Sequence, residues 1–541
     1  MRIGPRLWLD RLFTALSLMA VLMIVVALIA ILLPMLWRGS SAVVFRGTVE
    51  FRRMQLEQHG RGDSDDVRAE VEQAARIRQG AYDLLEQFAI VVDPSGMEKR
   101  ARQIHREFGK QLEHRGVPED QAAELQSLSK RLRGELLAAF EATEGPEALT
   151  HVQTVLAHAG DMRLAGTVAA QYFELAGRYK NALANVDLGR RAEYGVLFRQ
   201  VQEALRDLLG PPPGSPLPAI IKDQYGATRW DQATRHMERL LWVEKWLPSR
   251  PGELLQKVRV PMEQEFRGTV LTKLFPYVRE HVGDMLQPRW TCYWQFFFDD
   301  SMSSHYFGGV GPEILGTVLV TALAIAFALP VGVATAAYLV ECAGDTRPTR
   351  VLRTCVNTLA GVPSIVFGLF GLAFFVIYLL PKLGLREGSS ILAGASTLAL
   401  LVLPVIIRAS EEAIRTVPRA YKEAALALGA SRFRCFVTVT LPAAMPGILT
   451  GLILSMSRAA GETAPILCTA AVAMGPVPTS LMQPTRTLSY SSYDMAVGDK
   501  MAMLAPHNQF GMVMTLVAIV LLLNIVAIVI RGRISRKLRG Q

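Results

Sequence analysis

The sequence predicts an all-α membrane protein: six apolar helices cross a bilayer, and a large, mainly helical insert separates the first from the second. Three observations carry this reading. Half of the 541 residues are hydrophobic while 20% are charged, so apolar stretches alternate with water-exposed ones. From Leu12 to Trp37 no side chain is charged. Such a run of about 26 residues, rising about 1.5 Å each, exceeds a hydrocarbon core of about 30 Å. The remaining spanning-length runs all fall after residue 311.

The first run is too long for the apolar region of a secretory signal and ends in bulky Leu36-Trp37-Arg38 rather than small residues, so it reads as an uncleaved anchor. Five further spans are expected over residues 313–340, 356–380, 391–408, 446–474 and 511–530. Basic residues then orient the chain. Arg2, Arg6 and Arg11 precede the first span, and Arg347, Arg350 and Arg353 follow the second. Arg408, Arg415, Arg419, Lys422, Arg432 and Arg434 follow the fourth, and Arg531, Arg533, Arg536, Lys537 and Arg539 follow the sixth. With six spans all four clusters share one side, which the positive-inside rule makes the cytoplasm. This accounts for the net charge of +10 without nucleic acid as a partner. The expected plan is a cytoplasmic N-terminus and first span in residues 1–37 and a periplasmic insert in 38–311. A five-span core follows in 312–531, with a cytoplasmic loop at about 410–443, and a basic tail in 532–541. Both termini are expected in the cytoplasm of a multi-pass protein of the bacterial inner membrane.

The insert reads as helical over residues 65–209. Leu125, Leu128, Leu132, Leu136 and Leu137 form one stripe at helical spacing, with Glu124, Lys130, Arg131 and Glu135 elsewhere on the circumference. Pro118 suits a first helical turn and Asp161 a helix N-cap. Residues from Gly210 to Pro218 contain five prolines and cannot continue a helix. A second helical part is expected from Asp231 through Trp242 and Trp246, then over about 253–286.

The cytoplasmic loop contains Glu423-Ala424-Ala425, then Gly429, then Val439, Leu441 and Pro442. Residues 419–428 are rich in good helix formers, and Gly429 can adopt the left-handed backbone that ends a helix. The spacing resembles the EAA loop of permease subunits of ATP-binding-cassette importers, departing only by Val439 for isoleucine. The resemblance implies that Glu423, Ala424, Ala425, Gly429, Leu441 and Pro442 form the element that docks on an ATPase subunit.

Span five includes Ser457, Arg458, Gly461, Glu462, Thr463 and Pro465. Arg458 and Glu462 are four residues apart, so they share a helix face. Ionisable groups inside a span are costly and face a bundle interior or a polar path. Residue chemistry alone supports two readings equally. Arg458, helped by the polarity of Ser457 and Thr463, eases an anion across, or the pair is a structural salt bridge. Arg-Ala-Ala-Gly-Glu-Thr-Ala-Pro over 458–465 resembles the signature of phosphate-specific transporter permeases of the PstA type. Gly361-Val362-Pro363-Ser364-Ile365-Val366-Phe367-Gly368 and Gly308-Gly309-Val310-Gly311-Pro312-Glu313 are similar to the same family. The resemblance covers about 305–531 and implies a substrate path through Arg458, Glu462, Ser457 and Thr463. The partners it implies are an ATPase subunit dimer, a second, PstC-like permease and a periplasmic phosphate-binding protein, all meeting at the lipid bilayer. The long insert departs from ordinary members, which have a short loop there.

Other functions fit less well. No GxxxxGK[ST] loop occurs, so ATP hydrolysis is expected of a partner, not of this chain as an enzyme. Five scattered cysteines form no CxxC, and the insert's histidines form no HExxH, so neither a metal site nor a cofactor is expected. Importers of other oxyanions (molybdate, sulfate or phosphonate) share the EAA loop. A membrane sensor using the insert as its input would need a cytoplasmic output domain, and only about 11 residues follow Ile530.

Overall fold

The computed structural model describes residues 4–183, 186–216, 221–248, 255–302, 305–344, 346–384, 388–475, 477–498 and 505–538. The chain divides into two compact units, a membrane unit of residues 1–44 and 292–541 and an insert of residues 45–291. As expected, the protein is almost wholly helical.

Among the described residues of the membrane unit six helices are long and apolar enough to cross a bilayer: Leu12–Ser40, Gly311–Cys342, Ser364–Lys382, Ile391–Arg415, Arg432–Gly461 and Pro506–Arg536, here spans one to six. Span four is the most buried and packs against spans two, three and five. Span six lies between spans five and one, and span one exposes nearly all its remaining surface, as an apolar helix facing lipid does. Spans four and five approach closely because a Cβ on Gly447 or Gly451 would sit 2.6 or 2.3 Å from the Cβ of Ala413 or Ala409.

Spans four and six run longer than expected, to Arg415 and over Pro506–Arg536, and two other spans differ more in kind. Span three starts at Ser364, and Arg347–Leu359 is a helix of its own. Its apolar residues line only one side, and Pro363 disfavours helical backbone at the residue before it. Span five runs from Arg432 to Gly461, where the chain turns extended at Glu462 (φ −77°, ψ 122°) before a short helix, Ala464–Thr469. Pro465 has no N–H to offer the Gly461 carbonyl, so the helix breaks there. The apolar residues beyond it do not continue the span. They pack at the start of span four, where Ser390 N donates to Thr469 O (2.9 Å) and Ile391 N to Gln483 O (2.9 Å).

The end of the membrane unit that holds Ser40 and Gly311 is knotted around Arg486. Its Nη2 lies 2.7 Å from Asp300 Oδ1, and its Nη1 lies 2.8 Å from Ser301 Oγ and 3.4 Å from Glu313 Oε1. Ser301 Oγ also donates to Glu313 Oε1 (3.1 Å), and both Arg486 and Glu313 are buried. Backbone bonds brace the same segments: Val310 N to Phe296 O (2.7 Å), Gly311 N to Asp299 O (3.0 Å) and Tyr293 N to Val43 O (2.7 Å). The last bond means that the chain leaves for the insert and returns from it at one point.

The insert is a bundle that includes the helices Val49–His59, Ser64–Val92, Ser95–His114, Glu119–Glu141, Gly145–Leu156, Gln171–Leu183, Arg191–Leu209, Trp230–Leu241 and Leu274–Leu286. Phe88, Phe108, Phe140, Tyr172, Tyr179, Phe266 and Phe275 fill its core. Of the expected leucine stripe, Leu128, Leu132 and Leu136 are buried and Leu125 and Leu137 partly so. Arg78, also buried, ties several helix ends together. It pairs with Glu50 (2.5 Å) and donates to Met285 O (2.7 and 3.0 Å) and Leu209 O (3.0 Å).

Pro118 immediately precedes its helix. Two local expectations are corrected. Asp161 caps no helix; its carboxylate accepts from Arg163 N (3.0 Å) in a turn. Trp242–Pro248 is a strand, paired antiparallel with Leu255–Pro261. The aromatic and β-branched Trp242, Val243, Trp246, Val258 and Val260 favour a ladder over a helix. Gly210 ends the helix before it with φ 82°, while Leu217 and Pro218 of the proline-rich segment lie outside the described residues.

Two outcomes follow. Arg486→Ala leaves Glu313 buried without its cation and is expected to destabilise the membrane unit by about 3–5 kcal/mol, read as a lowered melting temperature of the purified chain. Joining residue 44 to residue 292 by a short turn, with 292–310 kept, is expected to leave a membrane unit that still inserts and melts cooperatively, because Val43 and Tyr293 are already bonded neighbours.

Candidate functional site

Two separate places hold the residues singled out in the sequence. The first is the helix Arg419–Ala427, between spans four and five. Pro418 precedes it, and Gly429 ends it with φ +85°. Gly429 N donates to Leu426 O (3.0 Å) and Ala430 N to Ala425 O (3.1 Å), a Schellman close that requires the left-handed residue. No residue of this helix is buried. Glu423 and Ala424 are exposed and Ala425 half-buried. Tyr421, Leu426, Leu428 and Phe433 add exposed apolar surface around it, Leu428 at 90%. What holds the helix is its ends: Lys422 Nζ lies 2.5 Å from Glu341 Oε1 at the end of span two. Beyond it the chain makes wide π-helical turns over Phe436–Thr440 and then regular α-helix from Leu441. Pro442 explains the wide turns, since it cannot donate to the Thr438 carbonyl. Leu441 packs with Ala336, Ala413, Ile414 and Ile448.

The second place is the break at the end of span five. Ala459 packs with Leu401 and Val402, so Arg458 stands level with the middle of span four. Arg458 Nε lies 3.2 Å from Glu462 Oε1, with the two side chains 38% and 20% exposed. Ser489 Oγ donates to the Glu462 carbonyl at 3.4 Å. Gly368 of span three fits against this break, for a Cβ there would lie 2.8 Å from Ala464 O and 3.1 Å from Pro465 Cα. The structure thus brings Arg458 and Glu462 together, whereas Ser457 and Thr463 turn to other partners. Ser457 Oγ bonds to Asn524 Oδ1 of span six (2.7 Å), and Thr463 heads the short helix, its carbonyl accepting from Leu467 N (2.9 Å).

Two cavities lie alongside. One, of about 610 Å³, is lined by Arg353, Asn357, Arg408, Glu411, Glu412 and Arg415 among others. The other, of about 640 Å³, is lined by Ser457 and Asn524 and shares Ala409, Glu412 and Leu454 with the first. Glu411 Oε1 holds both Arg353 Nε (3.0 Å) and Arg415 Nη2 (2.5 Å). Arg408 is exposed and makes no ion pair among the described residues. Sequence reasoning placed these groups in a loop because the apolar run stops at Ile407. The helical spacing of Glu411 and Arg415, four residues apart, is the signal that span four continues to Arg415.

Residues 328–540 match the family described as binding-protein-dependent transport system inner membrane component. The phosphate transport system permease protein PstA 1 of Mycobacterium tuberculosis is 41% identical over 175 residues, covering 32% of this chain and 54% of that protein. The probable ABC transporter permease protein YqgI of Bacillus subtilis is 35% identical over 201 residues, covering 37% of this chain and 64% of that one. The chain therefore spans 54% to 64% of the length of these curated relatives. Among solved structures, an inward-facing conformation of the MetNI methionine ABC transporter gives a TM-score of 0.34 at 18% identity, covering 41% of this chain and 94% of that chain. Over residues 328–540, then, the chain is similar to the inner membrane component of binding-protein-dependent transport systems, and its relatives include permeases named PstA.

Proposed function

We propose that this chain is the membrane-spanning subunit of an ATP-driven importer for inorganic phosphate. The observation that carries the reading is the Arg458–Glu462 pair beside a helix break at mid-span. The contact with Glu462 engages Arg458 Nε. A guanidinium so held keeps its terminal N–H donors for the planar, bidentate grip that oxyanions accept. Arg408, in the adjoining cavity, offers a second cation towards the end where the Arg419–Ala427 helix lies. That the Mycobacterium tuberculosis relative above is named a phosphate transport system permease protein supports phosphate over other oxyanions.

In this reading the Arg419–Ala427 helix docks on an ATPase subunit of a dimer and passes its closure to spans two and five. The absence of any buried residue in it, and its tether to span two through Lys422 and Glu341, support that role. A second, PstC-like permease completes the path, and a periplasmic phosphate-binding protein delivers the substrate. Both termini and this helix face the cytoplasm, and the insert faces the periplasm.

Phosphate uptake into proteoliposomes of the assembled complex tests the proposal. Arg458→Gln is expected to reduce uptake to background and Glu462→Gln to lower it, with assembly unchanged. Full uptake by Arg458→Gln would remove Arg458 from the path, and uptake of molybdate in place of phosphate would overturn the substrate. For the coupling helix, Gly429→Val forces a branched side chain into left-handed backbone at a cost of about 1–2 kcal/mol. Uptake and substrate-stimulated ATP hydrolysis are expected to fall together. Unchanged stimulation would mean that this helix end does not couple.

A further inference from the structure

The helix Arg347–Leu359, which links span two to span three, is the strongest element that the transport reading leaves without a role. Among its residues only Thr349 is buried. Its surface falls into three sides. Val351, Leu352, Cys355 and Leu359 recur at three- and four-residue spacing and so share a face. That face is turned away from the protein: Val351 is 62% exposed and Leu352 51%, and Cys355 and Leu359 are also exposed. A second side, with Arg353 and Asn357, lines the polar cavity beside span four. Arg353 anchors it, donating from Nη2 to Leu339 O (3.1 Å) and pairing through Nε with Glu411 (3.0 Å). A third side, with Arg347, Arg350, Thr354 and Thr358, is exposed and polar.

We propose that this helix lies in the membrane–water interface, with its Val351–Leu352–Cys355–Leu359 face in the acyl region and Arg347 and Arg350 against anionic lipid headgroups. Topology fixes its depth. Span two ends at Cys342 and span three begins at Ser364, so the helix sits where the chain turns back at one surface of the bilayer. Thirteen residues make about 20 Å of helix, too short to cross about 30 Å of hydrocarbon. A helix held there by one polar side, with an apolar face turned outwards and arginines along its rim, matches the basic amphipathic pattern that binds anionic bilayers. The membrane is continuous with the lipid-facing surfaces of the two spans it joins, which favours lipid over a second protein as the covering partner.

Cys355, native to the apolar face, supplies the probe. The full chain is prepared with Cys292→Ser, Cys342→Ser, Cys435→Ser and Cys468→Ser and labelled at Cys355 with an environment-sensitive dye. It is then reconstituted, alone and in the assembled complex, into vesicles of phosphatidylglycerol and phosphatidylethanolamine carrying nitroxide lipids. A matching chain with Cys355→Ser and Thr354→Cys reports the polar side. The expected result is blue-shifted emission at Cys355, quenched most by a nitroxide high on the acyl chain, with water-like, weakly quenched emission at Thr354→Cys. Replacing phosphatidylglycerol by phosphatidylcholine is expected to weaken the quenching at Cys355. Equal, water-like emission at both positions would overturn the proposal. So would strongest quenching from the bilayer centre, or shielding of Cys355 from lipid whenever the second membrane subunit is present. Quenching indifferent to headgroup charge would overturn the part assigned to Arg347 and Arg350.

Discussion

Arg486 holds a full positive charge out of water, and it can do so only while Asp300 and Glu313 are beside it. The effective cost of desolvating such ions is several kcal/mol each, so the buried Arg486 and Glu313 must arrive together, with the half-exposed Asp300 completing the group. They come from three distant stretches: the segment returning from the insert, the first turn of span two and the approach to the helix Leu488–Val497. Closing this end of the bundle is therefore a single event. Gly316 shows how tightly it closes, since a Cβ there would lie 1.9 Å from the Arg486 carbonyl.

The opposite end is built on a different principle. Around the Arg419–Ala427 helix there is little burial, and position depends on one ion pair, one left-handed glycine and the packing of Leu441. Between the two ends, small residues let spans four and five touch backbone to backbone, and the break after Gly461 interrupts span five beside the middle of span four. The protein thus joins a stiff, charge-locked end to an exposed and lightly held one. Arg458 stands between them, at the point where regular helix gives out.

Much of this was legible in the residues. Long apolar runs announced the six spans, and Glu423 to Gly429 announced a short capped helix, because both signals are local. The break at Pro465 was also foreseeable, since a missing N–H has one structural meaning inside a helix. Span boundaries were less so: apolar content alone carried span five past Gly461 and span three back to 356, where Pro465 and Pro363 in fact decided. Trp242 to Pro248 was misread as helix because its ladder partner lies across a turn, at Leu255–Pro261. The knot at Arg486 left no trace in the sequence. Nothing in the spacing of Asp300, Glu313 and Arg486 relates them, and only the folded chain does.

The π-helical turns at Phe436–Thr440 lie on the only stretch of chain between the exposed helix and Arg458. A π turn holds about one residue more than an α turn, so passing that residue along the helix would rotate the stretch it passes by about 100° and leave what lies beyond in place. Pro442 already denies the site its regular bond, which makes such a change of register cheaper here than in an unbroken helix. Span five could in this sense be geared: an extra residue passed from its base beyond Arg458 would turn that side chain about the helix axis, without either end of the span having to travel.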